Sequence, residues 1–338
     1  MRVGLITFAV VVVVAAWAFS FAGYSFMDAL GNMAGLLMLP LIAVPFVMAY
    51  IGHRMTGAIG NPFRGLIWGT GNWWLLVLVA GFLASGITLI IGLGLKLMLW
   101  DPSMGSYIKM IQAMMSEQGQ ELPSEAVKFL PIQGWMTMGG SLLLGPWIGG
   151  AMGCLQTFAI LGWFGRRLLV MGRGITVSVL IVVTGLSSAA GGLMLQMQNP
   201  DITPVMGVLM LALMGIASIV VQLWLFLKTR SAVIPALAYA TFSSGLAASQ
   251  PFLADASPLL APPNGLAASI VLLLVGIALW VMHDPGGDDL AVAAVAYDGT
   301  PLTPAQVARL EAEEQAFAEQ GQPMAPADSP DKDNPVDS

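Results

Sequence analysis

Charge is nearly missing from the first 283 residues, and what there is lies between long apolar blocks. Of the 338 residues, 57% are hydrophobic and 9% are charged, against about 25% charged in a soluble domain. Several blocks reach the roughly 20 residues needed to cross a hydrocarbon core of about 30 Å. A large soluble core with buried helices fits this composition far worse. The expected fold is all-α: a polytopic membrane bundle of about eight transmembrane helices. The spans are expected near 3–22, 33–52, 73–100, 135–162, 175–194, 205–227, 232–249 and 266–283. Residues 1–283 then form the membrane domain, and 284–338 form a tail.

The positive-inside rule orients this map. With the N-terminus inside, the inner segments hold Arg2, Arg54, Arg64, Arg166, Arg167, Arg173, Lys228 and Arg230. The outer side holds Lys109 and Lys128, with Lys96 near a helix end. Both termini are therefore expected in the cytoplasm, with the lipid bilayer as first partner and a bacterial cytoplasmic membrane as the setting. Trp73, Trp74, Trp100 and Trp135 fall at expected interfaces, where indoles favour the headgroup level. Arg2 and Ser20-Phe21-Ala22 fit a signal peptide loosely, but the apolar run is long for one, so an uncleaved helix is expected.

The longest outer segment covers 101–130. Met104, Ile108, Ile111 and Met115 recur at helical spacing, the pattern of a helix lying apolar side down. An ordinary amphipathic helix or a lid over a cavity would both fit. The tail after Met282 carries about twelve acids and two bases, so the net charge of −6 hides a mildly basic membrane body. Thr303-Pro304-Ala305-Gln306 resembles a capping box, so one short helix is expected over about 303–320. Beyond Gly321 this acidic tail is rich in Pro, Asp and Ser and reads as disordered.

Cys154 is the single cysteine and lies in an apolar block, as a small core hydrophobe would. No Cys/His cluster has metal-ligand spacing. No basic cluster points to nucleic acid, and no cofactor is implied. Gly145, Gly149 and Gly153 fall four apart on one helix face, which lets another backbone approach closely. An internal contact and a dimer interface both use such a stripe, and the oligomeric state stays open. Pro146 beside it is expected to kink the helix.

Three segments together resemble the CPBP family of intramembrane proteases, which includes the CAAX prenyl endopeptidases and bacteriocin-immunity homologues. The first is Gly145-Pro146-Trp147-Ile148 leading to Phe158-Ala159-Ile160-Leu161-Gly162-Trp163-Phe164-Gly165. The second is Gly185-Leu186-Ser187-Ser188-Ala189-Ala190-Gly191-Gly192-Leu193. The third is Trp224-Leu225-Phe226-Leu227-Lys228-Thr229-Arg230-Ser231, then Pro235-Ala236-Leu237-Ala238-Tyr239-Ala240-Thr241-Phe242-Ser243. The likeness covers about 36–282 and implies the fold of a membrane endopeptidase. In that family, paired glutamates and a histidine activate water, and a second histidine with an asparagine assists the carbonyl.

Here the matching positions lack those groups. The glutamates fall on Ala159 and Ile160, an arginine on Phe164, and the first histidine on or near Gly192. The second histidine and the asparagine fall on Tyr239 and Ser243 counted from Ser231, or on Ala240 and Ser244 counted from Pro235. No Glu occurs between Glu125 and Glu311, and the only histidines are His53 and His283. Water must lose a proton as it attacks, so this chemistry needs a base. The resemblance therefore implies a pseudoprotease, with no catalytic residues. It would act as a membrane scaffold or bind a membrane-protein or peptide partner. A divergent active endopeptidase is the second reading, and a small-molecule transporter component the third. Transporters usually keep intramembrane charges or broken repeats.

Tyr239 and Ser243 share a helix face. With Thr184, Ser187 and Ser188 they form a candidate polar cavity; interhelical hydrogen bonding is the plainer use of the same residues. Gln156 and Gln222 are expected to bridge helices in that way. Arg166, Arg167 and Arg173 read as topology determinants, with anionic lipid as a second role.

Overall fold

The computed structural model describes residues 2–30, 38–55, 66, 71–117, 123–193, 202–256 and 265–285, with isolated positions at 303, 305, 308 and 312. The expected tail helix thus lies almost wholly outside the described residues. The helices are α1 (Arg2–Leu30), α2 (Met38–Met55), α3 (Trp73–Gly94), α4 (Gly105–Glu117), α5 (Ser124–Leu143) and α6 (Gly145–Thr157). A π-helical stretch, Phe158–Gly165, carries α6 on into a short α7 (Arg166–Leu168). Then come α8 (Arg173–Ala190), α9 (Pro204–Thr229), α10 (Val233–Ser249) and α11 (Leu266–Met282). Among the described residues, five helical segments are long and apolar enough to cross a membrane. Leu83, Ile90, Val182, Leu209 and Leu274 are among the large apolar side chains left outside the bundle, which suits contact with lipid rather than water.

Small residues set the helix contacts. On α6, an added Cβ at Gly145 would overlap Ser244; at Gly149 it would meet Ala240 at 3.2 Å, and at Gly153 Ala236 at 3.7 Å. Rising numbers on α6 meet falling numbers on α10, so the two run antiparallel. The stripe is thus an internal contact. The other face of α10 meets α3: a Cβ on Gly81 would stand 2.8 Å from Thr241, and one on Gly245 would overlap Ser85. Here the numbers rise together, so α3 and α10 are parallel. The Ser85 hydroxyl donates to Phe242 O at 2.9 Å, tying those helices across the contact.

The same reading orients the remaining helices. Gly185 faces Ile216 on α9, Gly191 faces Leu211, and Gly192 lies against Gly207 and Val208. That makes α8 and α9 antiparallel. On α11, Gly276 faces Val220 and the Trp280 indole donates to Val220 O at 3.1 Å, while Trp224 donates to His283 O at 2.9 Å. Hence α9 and α11 are parallel. On α1, Phe8 packs on Phe164 and Trp17 donates to Leu186 O, and on α2 Phe46 packs on Phe158 and Gly52 on Trp163. Gly134 on α5 lies by Pro251 and Gly145 on α6 by Ser244, so α5 and α6 run the same way; with those two taken as one passage, the long elements alternate in direction in chain order.

Two expected boundaries are corrected. The span expected at 73–100 ends its helix at Gly94, and Leu99–Trp100 instead pairs antiparallel with Leu253–Ala254. The span expected at 135–162 breaks at Leu144, leaving Trp135 on α5. Pro146 therefore opens a new helix, where its missing N–H costs nothing, instead of kinking a continuous one. The outer segment follows the expected pattern: Met104 is buried, Ile108, Ile111 and Met115 are half-buried, and Lys109, Met110 and Gln112 face outward. Asp101 anchors its start, accepting from Ser103 N at 3.0 Å and Ser106 N at 3.2 Å. Phe252 stacks on Trp100 at 5.3 Å and meets Trp135 at 4.6 Å, which joins the strand pair to α5.

The Gly192 contact is backbone against backbone and has no flexible neighbour to yield. Gly192→Ala should destabilise the bundle by roughly 1–3 kcal/mol, as overpacking does. A Cβ on Gly86 meets nothing within 4 Å, so Gly86→Ala should leave the unfolding midpoint unchanged or slightly raised. Thermal unfolding in nanodiscs compares the two variants directly.

Candidate functional site

The positions expected from the resemblance to stand where acid and base groups would are packed, not open. Ala159, Ile160 and Phe164 are all buried in a cluster with Leu5, Phe8, Leu180 and Leu223. They sit on the π-helical stretch, a form that usually appears only as single bulges, often near functional sites. Here its widened turn is filled by aromatic rings: Phe8 lies 5.0 Å from Trp163 and 4.9 Å from Phe164, and Phe46 lies 5.8 Å from Phe158. Two residues beyond the stretch, in α7, Arg167 donates from Nη1 to Trp163 O at 3.0 Å, and its guanidinium lies 4.4 Å from the Trp163 ring. Arg167 is only 3% exposed. Arg167, expected with Arg166 and Arg173 to set topology, is thus a buried residue bound to the π-helical stretch.

Gly192 is elsewhere, at the end of α8 against the start of α9. Nothing could replace a hydrogen there without moving Val208 N, so the position has no room for an imidazole.

The expected polar cavity of Thr184, Ser187, Ser188, Tyr239 and Ser243 is not assembled. Thr184 and Ser188 face Gly215 on α9. The Thr184 and Ser187 hydroxyls are buried with no hydrogen-bond partner among the described residues. Ser243 turns back on its own helix, donating to Tyr239 O at 3.0 Å and Ala240 O at 3.2 Å. A hydroxyl in that arrangement is committed to backbone carbonyls and has no base beside it. Small hydroxyl side chains reach their own preceding turn more easily than a neighbouring helix, which is why Ser243 bonds within α10 and not across to α8.

Tyr239 alone of that set opens onto a cavity, of about 400 Å³, bounded by α3, α9, α10 and α11. Trp73, Trp224 and His283 stand at one end, and Ala84, Ser218 and Leu272 at the other. Leu76, Val77, Val221, Leu225 and Val275 form much of the wall. Ser218 donates to Gly215 O at 2.9 Å, so its hydroxyl is satisfied within α9. Gln222 also lines the cavity, and Gln156 is exposed. Neither forms the expected interhelical bond among the described residues. Among the described residues, the titratable groups lining this space are Tyr239 and His283, with no carboxylate.

An electrostatic clamp closes the helix ends near the rim. Arg173, at the start of α8, donates to both oxygens of Asp284, with Nη1 to Oδ2 at 3.0 Å. Its guanidinium also lies 4.7 Å from the Trp280 ring. The Arg173 hydrogen bond, aided by the charges of Arg173 and Lys228, holds the Asp284 carboxyl below its ordinary value of 3.8. Sequence reading placed both residues at helix ends but could not pair them across 111 positions.

Because the folded value is depressed, the clamp's stabilisation is complete above about pH 4 and is lost as pH falls through the depressed value. Both side chains are substantially exposed, at 33% and 57%, so the effect should stay within roughly 1 kcal/mol. Comparing unfolding of the protein with that of Asp284→Asn across pH checks this: the gap between them should close on acidification. A gap that persists unchanged at pH 2 would contradict the assignment.

Against known proteins, the chain matches no family model, no curated protein and no solved structure. The likeness to the CPBP proteases therefore rests on the residues quoted above.

Proposed function

We propose that this chain is a non-catalytic integral membrane protein that binds a membrane-embedded ligand or partner. In this reading it is an eight-span bundle with both termini in the cytoplasm, and a CPBP-like scaffold whose catalytic positions carry packing residues. The observation that carries it is the filling of Ala159, Ile160 and Phe164 by a tight aromatic and aliphatic cluster, beside a separate apolar cavity that holds no carboxylate. A water-activating site needs the reverse: a base beside an open, polar space. The alternating helix directions support eight crossings, and the basic residues between them support the orientation.

Ser243, with its hydroxyl bonded to its own helix, disfavours the divergent hydrolase. The purified protein should leave CAAX-type and membrane peptides intact. Cleavage that disappears on Tyr239→Phe or Ser243→Ala would falsify the non-catalytic reading.

The orientation has its own check. In a Cys154→Ala background, Lys109→Cys and Arg230→Cys should react with an impermeant thiol reagent from opposite faces of sealed vesicles, Arg230→Cys from the cytoplasmic face. Labelling of both from one face would remove the proposed topology.

A further inference from the structure

The cavity between α3, α9, α10 and α11 carries its polarity in one place. Gln222 lies eight residues before Arg230, and Tyr239 nine residues after it. Arg230 is the left-handed residue (φ 56°) that turns α9 into α10. With seven residues from Gln222 to the end of α9 at Thr229 and six from the start of α10 at Val233 to Tyr239, a rise of 1.5 Å per residue puts both side chains roughly 9–11 Å in from those helix ends, at one level. Among the described residues, neither the Tyr239 phenol nor the Gln222 amide has a hydrogen-bonding partner. Both border the cavity, whose remaining wall is almost wholly apolar. An unpaired polar group facing hydrocarbon is costly, and two at one level make a matched donor and acceptor set.

Size limits the occupant. About 400 Å³ lies in the usual range for small-molecule sites. It equals roughly one turn of a helix 10 Å across, so it is too small for a transmembrane peptide. Charge limits it too. His283 stands at the rim and, among the described residues, no carboxylate, lysine or arginine lines the space, so a charged headgroup would find no counterion among them at the level of Tyr239. Lipid-facing side chains of α3, such as Leu76, also form part of the wall, which makes the cavity continuous with the surface that lipophilic molecules occupy.

We infer that this cavity binds a lipophilic small molecule bearing one neutral oxygen group, a carbonyl or hydroxyl, held between Tyr239 and Gln222. This rests on the binding reading above and narrows it from a membrane partner to a ligand class. Phospholipid is a poor match, because its ester groups lie near the interface and not at the depth of these residues.

Photoaffinity labelling of the full chain in nanodiscs tests the inference. Three diazirine probes of equal chain length are used: a long-chain ketone, the matching alcohol and the matching alkane. The ketone and the alcohol should label the cavity-lining peptides of α9 and α11, and unlabelled ketone or alcohol should compete. Tyr239→Phe and Gln222→Leu should each weaken that labelling about 3- to 10-fold, as loss of one hydrogen bond does. The alkane should label more weakly and ignore both substitutions. Tyr239→Phe removes a single oxygen, so its unfolding midpoint should match that of the parent chain and exclude misfolding.

If the alkane labels the cavity as well as the ketone and neither substitution matters, recognition of an oxygen group is wrong, while binding in the cavity stands. If no probe labels the cavity above the lipid-facing side of α3 at Leu83 and Ile87, the cavity is not a binding site. The binding reading then fails with the inference.

Discussion

Helices in a membrane have no hydrophobic force to drive them together, because lipid tails are as apolar as their side chains. Close backbone approach, with its dispersion contacts and occasional hydrogen bonds, has to supply the cohesion. This bundle depends on that constraint. Helix α10 carries small residues on two faces: Ala236, Ala240 and Ser244 meet the glycines of α6, while Thr241 and Gly245 meet Gly81 and Ser85 of α3. Helices α8 and α9 close in the same way, most tightly at Gly192 and Gly207. Each contact fixes direction as well as distance, so the alternation of the helices follows from where the small residues lie.

That packing also explains why the positions resembling a protease site are not together. The π-helical stretch is held by rings from α1 and α2, Gly192 is consumed by a backbone crossing, and Tyr239 faces the far side of α9. One helix, α9, packs against both α8 and α10 and stands between these positions. A buried Arg167, bonded to the carbonyl of Trp163, anchors the π-helix where it rejoins ordinary α-helix. The stretch is therefore part of the core and is not an opening in it.

The cavity beside Tyr239 follows from the same geometry in reverse. Its walls mix small residues of the close contacts, such as Gly81 and Ala84, with larger ones, such as Leu76, Val221, Leu225 and Leu279, that keep the four helices from filling the space between them. Trp73 and Trp224 meet edge to face at 6.2 Å, and Trp224 bonds to the end of α11. Those rings hold one end of the gap open, and the Arg173–Asp284 pair secures the neighbouring helix ends.

The sequence alone determined the membrane character, because long apolar blocks with so few charges can satisfy their backbones only as helices in lipid. It also determined the glycine stripe on α6, the amphipathic α4 and the absence of any glutamate between Glu125 and Glu311. Those are properties of composition and of 3.6-residue spacing, both local. It did not determine the break at Leu144, the short strand pair or the eight-residue π-helix, which arise where neighbouring elements press on the chain. Nor did it determine which polar residues would be satisfied. Ser243 turned to its own helix, Thr184 and Ser187 were buried with no partner among the described residues, and Gln222 was left facing a cavity with Tyr239 instead of bridging helices. Helical spacing says which side chains share a face; only the tertiary structure decides what that face meets.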